Sequence, residues 1–175
     1  MGQINFQANI NCVGYSNIRG TNRTLYVNPF NVYESISLNT VHIPFRLSVT
    51  AQTLTLSLGL YSLSLGTLSL ANSASATIRF TGAGNIQYVP ITAISATQNI
   101  TPGTWYWGFV VNSSGSSQFT IQGGASIAPG NAFPGGFTGG RYTVSTLGLP
   151  ASIPITDFDV TGIDAHYVIP IIISA

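Results

Sequence analysis

The chain has 175 residues, a formal net charge of +1 and only 5% charged residues, although 45% of its residues are hydrophobic. This length predicts one domain with its own core, and the apolar content excludes a disordered chain. The sequence contains five arginines and no lysine, so a basic patch for nucleic acid is excluded. Because so few charges keep copies apart, the composition predicts a protein that works in an assembly.

Residues 1–22 are polar with scattered apolar positions, which predicts an N-terminal arm or a first strand. The start of the chain lacks the basic and apolar regions of a signal peptide, and no apolar run has the length of a membrane-spanning helix. Cys12 is the single cysteine, which excludes an internal disulfide and a cysteine zinc site. We therefore expect synthesis in a cytoplasm and no membrane partner.

Residues 23–175 predict a single all-β domain without significant helix, because apolar and polar residues alternate between clusters of Gly, Pro, Asn and Ser. Short strands at such spacing are typical of an antiparallel β-sandwich, here jelly-roll-like. A strand is expected at residues 23–27, broken at Asn28-Pro29. Residues 41–50 alternate cleanly, but Pro44 predicts an edge strand or a bulge. In residues 53–61 the leucines are expected to point inward and Tyr61 outward.

Residues 104–111 form the densest aromatic run, directly after a Pro102-Gly103 turn signal. Alternation places Trp105, Trp107, Phe109 and Val111 on one face, which predicts a central strand over the core. The polar residues 112–117 then predict a hairpin whose return strand begins at Phe119. Consecutive aromatic residues on a leucine-rich background favour core positions over an exposed platform that stacks a sugar. For that second interpretation Tyr106 and Tyr61 are the ligand-face candidates, because each points away from its strand's apolar face.

Residues 123–140 contain seven glycines and two prolines, which predicts a long loop of the kind that often carries function. Two phenylalanines exposed in a free loop would be a liability, so the loop is interpreted as a contact arm. The apolar run at 165–173 predicts a C-terminal strand buried in the core or against a partner. The predicted assembly-contact residues are Phe133, Phe137, Arg141, Ile171 and Ile173.

The ionisable residues do not form a convincing catalytic or metal site. Asp157, Asp159 and Asp164 begin like a calcium-binding loop, but the position of the required bidentate Glu is Val168. The aspartates are therefore interpreted as turn-forming residues. This interpretation is also favoured over a glycosidase pair formed by Glu34 and one of the aspartates. His42 and His166 are interpreted as surface or edge-strand histidines, and no serine lies in a nucleophile-elbow pattern. The sequence predicts no enzyme, no metal and no cofactor.

Three segments resemble a known group of proteins. They are Arg-Thr-Leu-Tyr-Val-Asn-Pro-Phe at 23–30, Gly-Leu-Tyr-Ser at 59–62 followed by Gly-Thr-Leu-Ser-Leu at 66–70, and Thr-Pro-Gly-Thr-Trp-Tyr-Trp at 101–107. These segments are similar to motifs of bacteriophage virion β-sandwich proteins, which include head decoration or cement proteins and tail-fibre head domains. The similarity covers residues 23–120. It implies a structural virion component that forms a homo-oligomer, usually a trimer, and it implies no catalytic residues.

Within that group, a short chain without a shaft repeat favours a decoration or cement protein that stabilises a phage head. Its expected partners are the major capsid protein or another virion protein, and its expected location is the virion. Two alternatives stay open at this point. One is a receptor-binding tail-fibre head. The other is a carbohydrate-binding module that recognises a host surface glycan through Tyr61 and Tyr106.

Overall fold

The structure is a computed structural model. It describes residues 12–20, 23–38, 40–47, 52–80, 86–92, 98–113, 119–126, 137, 139–146, 148–160, 167–168 and 172–174. Side chains are described in residues 23–35, 55–73, 100–110, 137, 139–146 and 148–160.

Strands dominate the described residues. They are β1 (Cys12–Gly20), β2 (Thr24–Val32), β3 (Ile36–Leu38), β4 (Thr40–Leu47), β5 (Gln52–Ser64), β6 (Thr67–Phe80), β7 (Ile86–Thr92), β8 (Gln98–Ile100), β9 (Gly103–Ser113), β10 (Phe119–Ser126), β11 (Gly140–Thr143), β12 (Ser152–Pro154), β13 (Tyr167–Val168) and β14 (Ile172–Ser174). The described part contains one three-residue 3₁₀ turn (Ile155–Asp157) and no α-helix. The predicted all-β antiparallel fold is confirmed, while its assignment to a jelly-roll-like sandwich stays a prediction.

The first sheet is built around β4 and β10. β10 pairs with β1, β4 and β13, and β4 also pairs with β7 and β14, always antiparallel. The prediction that Pro44 marks an edge strand or a bulge is therefore wrong, since β4 has partners on both sides and its register with β7 is unbroken. Pro44 lies opposite Tyr88 of β7. On the other side of β4, β10 pairs with residues 45–47 and β14 pairs with residues 40–42. The proline lies in the gap between those two partners, where no described strand needs its missing N–H.

The second sheet has the strand order β11-β2-β9-β5-β6-β12. β9 lies between β2 and β5, so its predicted central position is confirmed. Gly103 has φ 148°, in agreement with the turn predicted before it. The predicted hairpin to Phe119 is wrong, since β10 belongs to the first sheet. β9 instead pairs with strands distant in sequence, which local turn signals do not reveal.

β2 continues through the Asn28-Pro29 pair where a break was expected. Both residues keep their register with Trp107 and Tyr106 of β9. β11 pairs only with residues 24–27, so Pro29 lies beyond the end of its second neighbour. A proline is tolerated in a strand where no neighbour requires its N–H.

Another predicted segment is divided differently in the structure. The Gly-rich loop is shorter than residues 123–140, because β10 includes residues 123–126 and β11 begins at Gly140. In the described residues of the apolar C-terminal run, β13 pairs with β10 and β14 pairs with β4. Of residues 1–22, Cys12–Gly20 forms strand β1.

The second sheet is curled into a half-barrel, and a short connection shows why it has to be. After β12, Asp159 pairs with Arg141 on β11, at the opposite edge of the sheet. The five Cα–Cα steps from Pro154 to Asp159 span at most about 18 Å. In a flat sheet Asp159 would lie six strand spacings from β12, or about 29 Å. The two edges must therefore approach each other.

The curled sheet buries large side chains on both of its faces. One face carries parallel aromatic stacks, in which Tyr26 lies 5.3 Å from Phe109 and Phe30 lies 5.1 Å from Trp107. We call it the stacked face, and it also contains the buried Leu56, Leu58 and Leu60. The inward orientation predicted for these leucines is confirmed.

The opposite face, here the covered face, lies beneath residues 137–160, which we call the covering segment. This segment includes β11 and β12, the two edge strands of the curled sheet, and its residues 138 and 147 lie outside the described residues. Four side chains of this segment, Phe137, Val144, Ile153 and Phe158, are buried in one cluster with side chains of the sheet. The sheet side of the cluster consists of Leu25, Val27, Tyr61, Leu68, Tyr106 and Val110. The covering segment thus completes the core over this face.

Candidate functional site

Phe137 and Tyr106 meet, but in the interior of the chain. Phe137 is 5% exposed, and its ring centroid lies 5.7 Å from that of Tyr106 and 5.1 Å from that of Phe158. The Tyr106 hydroxyl donates to the Phe137 carbonyl oxygen at 3.4 Å. The prediction that Phe137 anchors an arm in a neighbour's pocket is therefore wrong. The ring fills the space over the chain's own sheet.

Tyr61 lies in the same core. Its side chain is fully buried, and its hydroxyl donates to the Pro150 carbonyl oxygen at 3.1 Å. The ring lies over Gly59 and Gly108, which face each other on β5 and β9. A Cβ atom at Gly108 would stand 2.7 Å from Tyr61 Cε2, so the ring fits because both positions are glycine. The sequence prediction that Tyr61 points outward is wrong, because the covering segment buries that face.

Both tyrosines act as neutral hydrogen-bond donors. Burial raises the pKa of the Tyr61 phenol well above its ordinary value and raises that of Tyr106 in the same direction. A neutral phenol donates well to a backbone carbonyl and is a poor base or nucleophile. The prediction of an exposed ligand face at Tyr61 and Tyr106 is wrong, since 0% of each residue is accessible. The two hydroxyls instead donate to backbone carbonyls of the covering segment and so hold this segment against the sheet.

Arg141, a predicted assembly contact, makes an ion pair within the chain. Arg141 and Asp159 exchange both backbone hydrogen bonds, at 3.0 and 2.8 Å. Arg141 Nη2 also lies 2.5 Å from Asp159 Oδ2, with 31% and 47% of the two side chains exposed. This pair closes the end of the covering segment against β11. A role of Arg141 in assembly stays a prediction.

The remaining predicted residues are placed as follows. Phe133 and Ile171 lie outside the described residues, as do Asp164 and His166. Ile173 is in β14, opposite Val41 of β4, and His42 is opposite Ile172. Assembly roles for Phe133, Ile171 and Ile173 stay predictions.

The aspartates are not gathered into a metal site in the described part of the chain. Asp157 is exposed and accepts a hydrogen bond from Thr156 Oγ1 at 3.3 Å, while Asp159 bonds to Arg141. Among the described residues, no three His, Cys, Asp or Glu side chains lie close enough to hold a metal ion.

The surface feature that sequence reasoning missed is one end of the second sheet. β2 ends and β9 begins there, since Val32 faces Gly103. The β5–β6 hairpin turns at the same end through Leu65-Gly66, with φ of 49° and 75°. Tyr33 is 77% exposed and Leu65 is 103% exposed. We call this region, which also includes the exposed Pro102, the exposed end.

The available sequence signal was the two-residue turn itself. Turns with two positive φ angles favour Asn-Gly, so a leucine in the first position departs from what the turn prefers. Leu65 therefore combines an unfavourable backbone conformation with full exposure of its side chain to water.

Comparison with known proteins gives no family for this chain: no protein-family model and no curated protein matches it. Within the described residues, no helix has the length and apolar character needed to cross a membrane.

Proposed function

We propose that this protein is a structural component of a bacteriophage virion, a trimeric decoration or cement protein that binds the major capsid protein and stabilises the head. One observation carries the proposal. The three segments that resemble virion proteins fall on β2, on the β5–β6 hairpin and on β9, which are neighbours in a single sheet. Similarity that is scattered along the sequence thus belongs to one contiguous part of the fold.

The exposed end supports a role in assembly. Leu65 and Tyr33 expose apolar surface on a chain with only 5% charged residues. Burying a leucine side chain contributes about 1.5–3 kcal/mol. A stable interface needs about 1,200 Å² or more in total, so these side chains would be the centre of a larger contact.

A substitution at the exposed end tests this contact. Leu65→Asn places a residue that tolerates positive φ at the turn, so the fold is retained while the apolar contact is lost. We expect fewer copies bound per particle than with the matched control Ser64→Asn at the neighbouring exposed position. Equal occupancy for the two variants would exclude the exposed end from the contact.

The experiment that tests the function itself is the copy number on purified particles, measured by quantitative mass spectrometry. A count comparable to that of the most abundant shell protein is expected for decoration or cement. A few copies per particle would instead identify a fibre or tail-tip component. Absence from every particle would overturn the virion proposal.

The carbohydrate-binding alternative loses its main support. It depended on Tyr61 and Tyr106 as exposed stacking platforms, and both rings are fully buried. We therefore do not propose it.

A further inference from the structure

We infer that the outer edge of β6, beyond the point where β12 ends, pairs with the same edge of a second copy of this chain. β12 pairs with residues 67–69, and the Leu70 N–H donates to the Ala151 carbonyl oxygen. From Ala71 onward, β5 is the single described strand that pairs with β6. Beyond Ala71 this edge therefore continues without a described partner for several more residues.

A hydrogen bond at Ser73 shows which way the backbone faces. The Ser73 N–H donates to Asn72 Oδ1 at 2.6 Å, in an exposed position. An amide that pointed at β5 would bond to a backbone carbonyl of that strand, so this one points to the outer edge. In an antiparallel ladder every second residue points the same way. The N–H and C=O groups of Ser75 and Thr77 are therefore also directed outward.

The register shift between Leu60 and Tyr61 in the β5–β6 pairing explains why the odd-numbered residues of β6 direct their N–H and C=O groups to the outer edge. Before it, Leu70 faces β12 and belongs to the even-numbered set. One extra residue on β6 reverses the alternation, so that Ser73 faces outward. The edge beyond the bulge is thus offset from the part that β12 occupies.

The other edges of this sheet are protected. β12 is three residues long and ends in Pro154, and β11 is four residues long with Asp159 paired on its outer side. Proteins commonly protect edges in this way, with short strands, prolines or charges. The sequence of residues 71–77, Ala-Asn-Ser-Ala-Ser-Ala-Thr, contains neither proline nor charge.

A row of outward N–H and C=O groups recognises an extended polypeptide strand. A second β6 fits this edge, because a two-fold antiparallel pair centred on Ser75 places Ser73 opposite Thr77 and brings no charges together. In the pair, a backbone carbonyl oxygen of the second copy would replace the exposed Asn72 Oδ1 as the acceptor of the Ser73 N–H. The nearest charge is Arg79. The two copies of Arg79 would lie eight residues apart along the pair, about 26 Å, well beyond the Debye length of about 8 Å.

This contact does not depend on a location in the virion. Because it is two-fold, it joins copies in pairs. A chain that forms no trimer gives two copies through this contact. Where the trimer of the proposed function forms, six copies result when its three edges close on those of one second trimer.

The test compares Ser75→Pro with Ser152→Pro by light scattering with size-exclusion chromatography. Proline at position 75 removes an outward N–H without affecting the β5 ladder. Ser152 also points away from its partner strand, on β12, and is the matched control. We expect the wild-type mass to fall two-fold in Ser75→Pro and to stay unchanged in Ser152→Pro. An unchanged mass in Ser75→Pro, or a monomeric wild-type chain, would overturn the inference.

Hydrogen exchange of the wild-type protein gives a second test that needs no variant. The Ser75 and Thr77 amides should exchange at least ten-fold more slowly at high than at low protein concentration. Concentration-independent exchange at both positions would also overturn the inference. The mass of the smaller species separately tests the trimer, since three copies are expected from the proposed function and one copy would contradict it.

Discussion

The two faces of the second sheet are both buried, but by different means. On the stacked face, aromatic side chains of adjacent strands lie against one another, as Tyr26 does on Phe109 and Phe30 on Trp107. On the covered face, one large ring lies over two glycines, and its hydroxyl is bonded to the segment above it. Alternation of residues in the sequence predicts the first arrangement and misses the second.

The difference teaches that a strand face can be buried without a continuous row of large apolar side chains. Gly59 and Gly108 contribute little apolar surface, and Tyr61 on the same face was expected to point outward. The glycines instead create the space that Tyr61 fills. A face that alternates small and aromatic residues can thus be core, provided that another part of the chain covers it.

The largest expected effect comes from removing the covering segment's central ring. Phe137→Ala should lower the free energy of unfolding by about 3–5 kcal/mol, because it leaves a cavity between Tyr106 and Phe158. Chemical denaturation measures this loss. Tyr33→Ala, at a 77% exposed position, is the control and should stay within about 0.5 kcal/mol of the wild type. A small effect of Phe137→Ala would contradict the core position and revive the contact arm.

A smaller effect is expected where the glycine floor is filled. Gly108→Ala should destabilise the fold by about 1–3 kcal/mol, because its Cβ would stand 2.7 Å from Tyr61 and 3.1 Å from Leu25. Gly148→Ala is the matched control. Its Cβ would meet only Thr146 Oγ1 at 3.8 Å, so stability should be unchanged or slightly increased. Equal effects of the two substitutions would show that the Tyr61 ring does not need a glycine beneath it.

Tyr61→Phe sharpens the comparison by removing only the hydroxyl. The loss of the bond to Pro150 should cost about 0.5–1.5 kcal/mol at neutral pH, measured by denaturation. By comparison, Phe30 on the stacked face has no hydroxyl and is held by ring packing alone.

The same variant should change the alkaline stability profile. The folded-state pKa of Tyr61 is raised above the ordinary value of 10, so its contribution is complete below pH 10. Above pH 10 the unfolded state loses the proton first, and the free energy of unfolding falls by at most about 1.4 kcal/mol per pH unit for each such tyrosine. The decline should be less steep in Tyr61→Phe. Identical slopes for variant and wild type would argue against a buried phenol at this position.

The smallest effect is expected at the closing ion pair. Asp159→Asn should cost no more than about 1 kcal/mol, because both side chains of the pair with Arg141 are partly in water. The cost should shrink when the salt concentration is raised. A salt-independent loss of several kcal/mol would mean that this pair, and not the aromatic cluster, holds the covering segment.

Sequence reasoning located individual strands better than their partners. The alternating leucines and the aromatic run predicted β5 and β9 correctly, because period-2 alternation is a local property of the backbone. The hairpin from β9 to Phe119 was wrong, because a polar loop has the same composition whether it connects neighbouring strands or two sheets. Pro44 and Pro29 were misinterpreted for a related reason. A strand tolerates the missing N–H of a proline only where the neighbouring strand on that side no longer pairs with it.

The candidate site was the least predictable part. Phe137, Tyr61 and Tyr106 were each judged by their local sequence, which cannot show that the covering segment returns over the sheet. The exposed Leu65 lies in the turn of the β5–β6 hairpin, and its exposure depends on what the rest of the chain leaves uncovered.

By itself, the sequence determined that this chain is antiparallel β-structure with few charges, because alternation and composition act residue by residue. Only the tertiary structure decided which face is covered, which prolines are tolerated and which aromatic rings are core. Those outcomes depend on contacts between residues far apart in the chain, such as the Tyr61 hydroxyl with Pro150. The four-residue connection between Pro154 and Asp159 shows the same dependence, since its short length matters only once β11 and β12 are known to be opposite edges of one sheet.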